Sequence, residues 1–128
     1  MHPGVPEVIF FHTVSIQQYG GAEGVREPEA LEAAVVRPWF RVGAEDTFPS
    51  PFDKAAAICE SIIRRHPFVD GNKRIGHAVM EAFLVLNGYE IQASVDEQER
   101  IILRLAAGEL DRTAFTAWLR SRTTGYAS

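Results

Sequence analysis

Apolar residues recur at helical spacing in six stretches of the chain, separated by glycine, proline and capping residues. The first runs from Pro6-Glu7 through Val8, Ile9, Phe11, His12, Ile16 and Tyr19 to Gly20-Gly21, with a proline and an acid in its first turn. Gly20 to Gly24 reads as a flexible joint. Pro28 then opens a second helix through Leu31, Ala34 and Val35, which must stop before Pro38 because the residue ahead of a proline is pushed out of the α region. From Trp39 to Pro51 no period holds, and Gly43, Pro49 and Pro51 among Asp46, Thr47 and Ser50 predict a loop long enough to serve as a flap over a site.

A third helix begins at Ser50-Pro51 or Asp53, with Phe52, Ala55, Ala56, Cys59, Ile62 and Ile63 on one stripe. Continuing that count puts His66 on the same stripe, with its imidazole toward the core. Pro67 ends the helix, and the chain must turn over Phe68 to Gly71 before a fourth helix begins near Asn72. There Ile75, Val79, Ala82, Phe83 and Leu86 form a stripe while Met80, Leu84 and Val85 cover much of the rest. Apolar most of the way round, this is the helix expected at the centre, and Asn87-Gly88 closes it. Tyr89 to Ala93 reads as a short extended link. Ser94-Val95-Asp96-Glu97 matches a capping box, opening a fifth helix through Ile101, Ile102, Leu105 and Ala106 to Gly108. Asp111 caps a sixth with Phe115, Trp118 and Leu119 inward, which frays at Thr123-Thr124-Gly125. Six helices and few strand signals predict an all-α fold, a compact six-helix bundle around a buried central helix, as one domain over residues 1–128. The first few residues and Tyr126-Ala127-Ser128 are expected to be mobile.

Composition changes this picture little. A hydrophobic fraction of 46%, a charged fraction of 23% and an aromatic fraction of 10% are those of an ordinary folded domain. The net charge of −4 leaves no basic footprint for nucleic acid, so no nucleic-acid partner is expected. The lone Cys59 has no partner within the chain and reads as a small hydrophobe, which fits a reducing cytoplasm. Met1-His2-Pro3-Gly4 opens no signal peptide and no apolar run is long enough to span a bilayer, so neither secretion nor membrane insertion is expected.

The chemistry gathers in His66-Pro67-Phe68-Val69-Asp70-Gly71-Asn72-Lys73-Arg74. An imidazole with a pKa of ~6.5 can accept the proton of an attacking hydroxyl, and a carboxylate can hold Mg²⁺ against phosphates. The backbone amides of a helix start, with Lys73 and Arg74, can stabilise charge on a transferred group. Each element also has a plainer reading. A histidine on an apolar face is more often a satisfied core residue, and this weighs more heavily still on His12 and His77. Asp70 can be a helix cap and Gly71 a turn residue. Lys73 and Arg74 are harder to set aside, since two cations at a helix N-terminus oppose the dipole unless an anion is bound.

At these residues the sequence resembles the Fic/Doc superfamily. Its Fic branch carries His-Pro-Phe-x-(Asp/Glu)-Gly-Asn-Gly-Arg-x-x-Arg, and its Doc (death-on-curing) branch has Asn-Lys-Arg in the central part, as here at Asn72-Lys73-Arg74. The likeness extends to Tyr19-Gly20-Gly21-Ala22-Glu23-Gly24-Val25-Arg26, Leu31-Glu32-Ala33-Ala34 and Arg37-Pro38 upstream, and to Asn87-Gly88-Tyr89 and Ala106-Ala107-Gly108-Glu109-Leu110 downstream. It implies His66 as general base, Phe68 as a core anchor, Asp70 as Mg²⁺ ligand, and Gly71, Asn72, Lys73 and Arg74 as the pocket for the phosphates of ATP. His66, Asp70, Lys73 and Arg74 would be the catalytic set. Doc is known as a kinase that phosphorylates a threonine of elongation factor Tu, whereas Fic proteins move AMP onto a protein hydroxyl.

Two departures from the Fic pattern favour the kinase: Lys73 replaces its second glycine, and His77 stands where its final arginine would be. Pro67 and Gly71 are Fic-like and keep nucleotidyl transfer as the alternative. A helical binding module without catalysis is the third reading. No inhibitory Ser/Thr-x-x-x-Glu-Gly/Asn run occurs, so the resemblance implies an antitoxin of Phd type supplied in trans, whose tail would fold as a helix into an apolar groove. It also makes the stretch from Trp39 to Pro51 the family's flap.

Overall fold

The computed structural model describes residues 3–125, so the expectation of mobile termini lies, for residues 1–2 and 126–128, outside the described residues. Six helices follow one another: α1 (Val5–Tyr19), α2 (Pro28–Val36), α3 (Pro51–Arg65), α4 (Asn72–Leu86), α5 (Val95–Ala106) and α6 (Arg112–Ser121). Local rules account for most of their ends. Ser50 Oγ accepts the Asp53 N–H at 3.1 Å, Ser94 Oγ the Glu97 N–H at 3.1 Å, and Asp111 Oδ1 the Ala114 N–H at 2.8 Å. Glu97 does not turn back on its own helix start; its carboxylate takes Trp118 Nε1 at 3.2 Å and Arg122 Nε at 2.9 Å, binding α5 to the end of α6.

The bundle has a buried central helix, but it is α3 rather than α4. Every residue from Lys54 to Ile63 is buried. One side of α3 joins Val8, Leu31, Phe68, Ile75 and Val79 through Ile58 and Ile62. The other joins Met80, Phe83, Leu105, Phe115 and Leu119 through Ala55, Ala56, Cys59 and Ile63. Helix α4 buries a stripe only, and Val85 and Leu86 are exposed. The polar residues Lys54, Glu60 and Ser61 of α3 are covered by the segment that follows α2. Arg37, in a 3-10 turn at Arg37–Trp39, reaches Glu60 at 3.1 Å and Ser61 Oγ at 2.7 Å. Lys54 donates to the Phe48 carbonyl and lies 3.6 Å from Asp46. Buried charges with partners of this kind are tolerated where lone ones are not. Burial also raises the pKa of the Cys59 thiol, with the neighbouring Glu60 charge adding to it, which leaves that sulfur a small hydrophobe.

Two stretches expected to lack order form strands. Within the expected loop, β1 (Arg41–Val42) pairs antiparallel with β2 (Glu45–Asp46) about a left-handed Gly43, making this stretch a hairpin. Two-residue strands are too short to show a period. The extended link is β3 (Tyr89–Ile91), and it pairs with β4 (Thr123–Gly125), so the chain after α6 is held in a ladder instead of fraying.

Candidate functional site

Helix α3 ends on His66, which is in the left-handed region (φ 50°, ψ 58°), the one non-glycine residue with positive φ among those described. That conformation rotates the side chain off the helical stripe. The imidazole therefore leaves the core and is exposed, against the sequence expectation. The left-handed turn is held from outside: Arg26 donates to the His66 carbonyl from Nε at 3.0 Å and Nη2 at 2.6 Å, and to the Arg65 carbonyl at 3.2 Å. The supposedly flexible joint is a strap across the same loop. Val69 N–H donates to Gly24 O at 3.1 Å, the N–H groups of Arg26 and Glu27 donate to Pro67 O at 2.7 and 3.0 Å, and Val25 bridges Phe68.

Phe68 pins the loop from within, 1% exposed in the core around Ile58 and Ile75. Asn72 closes it: its Oδ1 accepts the Phe68 N–H at 3.0 Å and its Nδ2 donates to the Phe68 carbonyl at 3.0 Å. With the amide oriented in this way, Nδ2 also faces His66 Nδ1 at 3.4 Å, which assigns a lone pair to that ring nitrogen. The Asn72 side chain thus serves the loop, and what this residue can offer an anion is its backbone N–H.

Asp70 does not cap α4. The N-cap position is the left-handed Gly71, which has no side chain to cap the first turn. The Asp70 carboxylate instead accepts Gly71 N–H at 2.8 Å on Oδ1 and Ala22 N–H at 3.3 Å on Oδ2. Gly21 makes that approach possible, since a Cβ there would lie 2.7 Å from Asp70 Oδ2. The result is an exposed carboxylate beside a helix start with no side-chain cap, which leaves the positive end of the dipole facing the cleft.

His66, Val69, Asp70, Gly71, Asn72, Lys73 and Arg74 line one cleft of about 380 Å³, so the residues proposed from the sequence for catalysis and phosphate binding lie together, while Phe68 is in the core. Lys73 is exposed and has no carboxylate partner among the described residues. Arg74 lies over the Tyr19 ring at 5.1 Å with Nη1 3.4 Å from Gly20 O, at the C-terminal end of α1 where a cation is favoured. It also lines a larger groove of about 810 Å³ between α1, α4 and α5, edged by Phe10, Phe11, Val14 and Val95. His77 faces this groove, with Nε2 2.8 Å from Gln98 Oε1.

Three contributors escaped the sequence reading. His12, set aside as a core histidine, contacts the loop directly, with Nε2 2.8 Å from the Asp70 carbonyl oxygen. Arg26 bonds the backbone carbonyls of residues far along the chain, and Ala22 reaches the Asp70 carboxylate with its own backbone N–H. The heptapeptide-scale spacing of a motif carries no signal for such contacts. No three metal-ligating side chains gather among the described residues, so Asp70 is the one protein carboxylate at the cleft.

A model of the family described as "Fic/DOC family" matches residues 5–84. Over 103 residues the chain is 39% identical to "Toxin Doc" of Mycolicibacterium smegmatis (strain ATCC 700084 / mc(2)155), covering 79% of each protein. Over 119 residues it is 30% identical to "Protein kinase doc" of Escherichia phage P1, covering 93% of each.

Proposed function

The chain belongs to the Fic/DOC family, and from that premise we propose that it is a Doc-like toxin, an ATP-dependent kinase that phosphorylates a hydroxyl of a target protein and blocks translation. Elongation factor Tu is the proposed target class. The reading is supported above all by one observation: an exposed imidazole, an exposed carboxylate and a helix start without a side-chain cap share a single cleft. The names of the two relatives, a toxin and a protein kinase, point the same way.

In this reading the target hydroxyl attacks the γ-phosphorus of ATP, the new O–P bond forms as the bond to the β–γ bridging oxygen breaks, and ADP leaves. The hydroxyl proton passes to the imidazole of His66, whose Nδ1 lies 3.4 Å from Asn72 Nδ2. The amides of Asn72 and Lys73, the Lys73 ammonium and the Arg74 guanidinium hold the phosphates. A single exposed carboxylate fits Mg²⁺, which takes most of its six oxygens from water and phosphate and needs only one or two from protein. Asp70 would hold it, and when bound it neutralises charge on the phosphate chain.

Nucleotidyl transfer is the second reading, favoured by Pro67 and by Gly71, whose missing side chain admits phosphates closely. Against it stands His77, bonded to Gln98 and facing the larger groove, so that it offers the phosphates no cation. Incubating the protein with elongation factor Tu and ATP labelled separately at the α and γ positions tests both. Label from the γ position on the target supports the kinase, label from the α position the nucleotidyl transferase, and neither leaves a binding module. The groove between α1, α4 and α5 is the proposed seat of an antitoxin of Phd type, whose tail would add an amphipathic helix there.

A further inference from the structure

His12 takes no part in the chemistry just described, yet it is only 3% exposed, on the face of α1 that carries Val8 and Ile16. Its ring meets the site loop at three points. One face stacks on Phe68, with centroids 3.9 Å apart and planes 8° apart. The Nε2 edge lies 2.8 Å from the carbonyl oxygen of Asp70. The same atom would be 3.8 Å from a Cβ at position 71, so the ring also packs against the Gly71 backbone. A carbonyl only accepts, so Nε2 carries the proton and donates it.

The C=O and N–H of a trans peptide point in opposite directions. With the Asp70 carbonyl drawn to His12, the N–H of the same peptide, that of Gly71, is turned the other way, where it donates to Asp70 Oδ1 at 2.8 Å. Gly71 sits at φ 74°, and without a Cβ it opposes a flip of this peptide only weakly. A flip would replace the N–H beside the carboxylate with a carbonyl oxygen, trading attraction for repulsion. We infer that His12 is a positioning residue: its Nε2–H locks the Asp70–Gly71 peptide in the orientation that holds the Asp70 carboxylate at the cleft. The catalytic consequence rests on the proposed role of Asp70 as the Mg²⁺ ligand.

The test compares the wild type with His12→Phe, which keeps a flat ring against Phe68 but has no donor, and His12→Gln, which places an amide N–H near the position of Nε2 but loses the stack. In amide and imidazole NMR spectra the wild type should show a slowly exchanging Nε2–H and a hydrogen-bonded Gly71 amide. His12→Phe should lose the hydrogen-bonded shift of Gly71, raise the half-saturating Mg²⁺ concentration about tenfold and lower kcat, with KM for ATP little changed. His12→Gln should recover most of both signals even though it melts lower. A histidine that merely fills space gives the reverse order, with His12→Phe indistinguishable from wild type in the Gly71 amide and in Mg²⁺ requirement, and that result overturns the inference. A wild type that neither binds Mg·ATP nor transfers label rejects the proposed function instead; the Gly71 amide comparison then still decides whether His12 fixes the peptide.

Discussion

His66 occupies a backbone conformation that side chains other than glycine rarely adopt, and it does so at the position where helices most often place glycine. The strain has a purpose only if the imidazole is used. Replacing it with glycine should therefore separate stability from activity. His66→Gly relieves a left-handed cost of about 1–2 kcal/mol, partly offset by the freer unfolded chain, for a net gain of about 0.5–1 kcal/mol. For a domain of this size that is a rise in Tm of roughly 2–4 °C. Transfer of label should vanish all the same. His66→Ala should be equally inactive with a melting curve close to wild type, because the ring is exposed and no core contact is lost. Activity that survives either change, measured by γ label on the target, removes the base from the scheme. The sequence reading of His66 failed in direction: the ring was expected toward the core and is exposed. The stripe count assumes that helical dihedrals continue to the last residue, and here they do not.

At the scale of elements, the site is a loop gripped on three sides, by α1 through His12, by the strap through Arg26 and by the core through Phe68. Arg26 is exposed, so removing it costs stability little, roughly 1 kcal/mol, but the loss falls on one place. Arg26→Ala should speed amide exchange at Phe68 to Gly71 about fivefold, leave exchange in α5 and α6 unchanged, and lower kcat. Uniform acceleration through the whole chain would mean that the strap is general scaffolding. Phe68→Ala is the opposite case: a fully buried aromatic costs about 3–5 kcal/mol, a large part of the ~5–15 kcal/mol a domain has, and the melting curve should show it before any activity assay does. The helices were legible because Ser50, Ser94, Asp111 and Gly88 act on neighbours three or four residues away, within the reach of pattern rules. The grip on the loop was not legible. Its bonds join residues 39 to 58 positions apart, and most end on backbone carbonyls, which every residue type supplies. The centre of the bundle was misjudged for a related reason: Lys54 and Glu60 look like a solvent face until Arg37 and the hairpin are seen to cover them.

On the scale of the whole molecule, two recesses of different character share one residue. The cleft is polar and holds the proposed catalytic groups, and the groove is edged by Phe10 at 63%, Val14 at 40% and Val95 at 67% exposure; Arg74 lines both. These exposed apolar side chains are the surface that the tail of the proposed antitoxin would cover. No helix of the described residues is long and apolar enough to cross a membrane. In the proposed reading, an amphipathic helix from the antitoxin laid along the groove would cover the apolar edge and close off the Arg74 side of the cleft. The partner's tail, added at about 100 times its Kd, should stabilise the chain by about 2.7 kcal/mol and raise Tm by roughly 10 °C, more at higher concentration. Phe10→Ser combined with Val14→Ser should leave the melting curve of the free protein within about 0.5 kcal/mol of wild type, since both side chains are exposed, and should cancel most of that rise. A full shift in the double variant would place the antitoxin elsewhere, and the exposed apolar edge of α1 would then need another occupant.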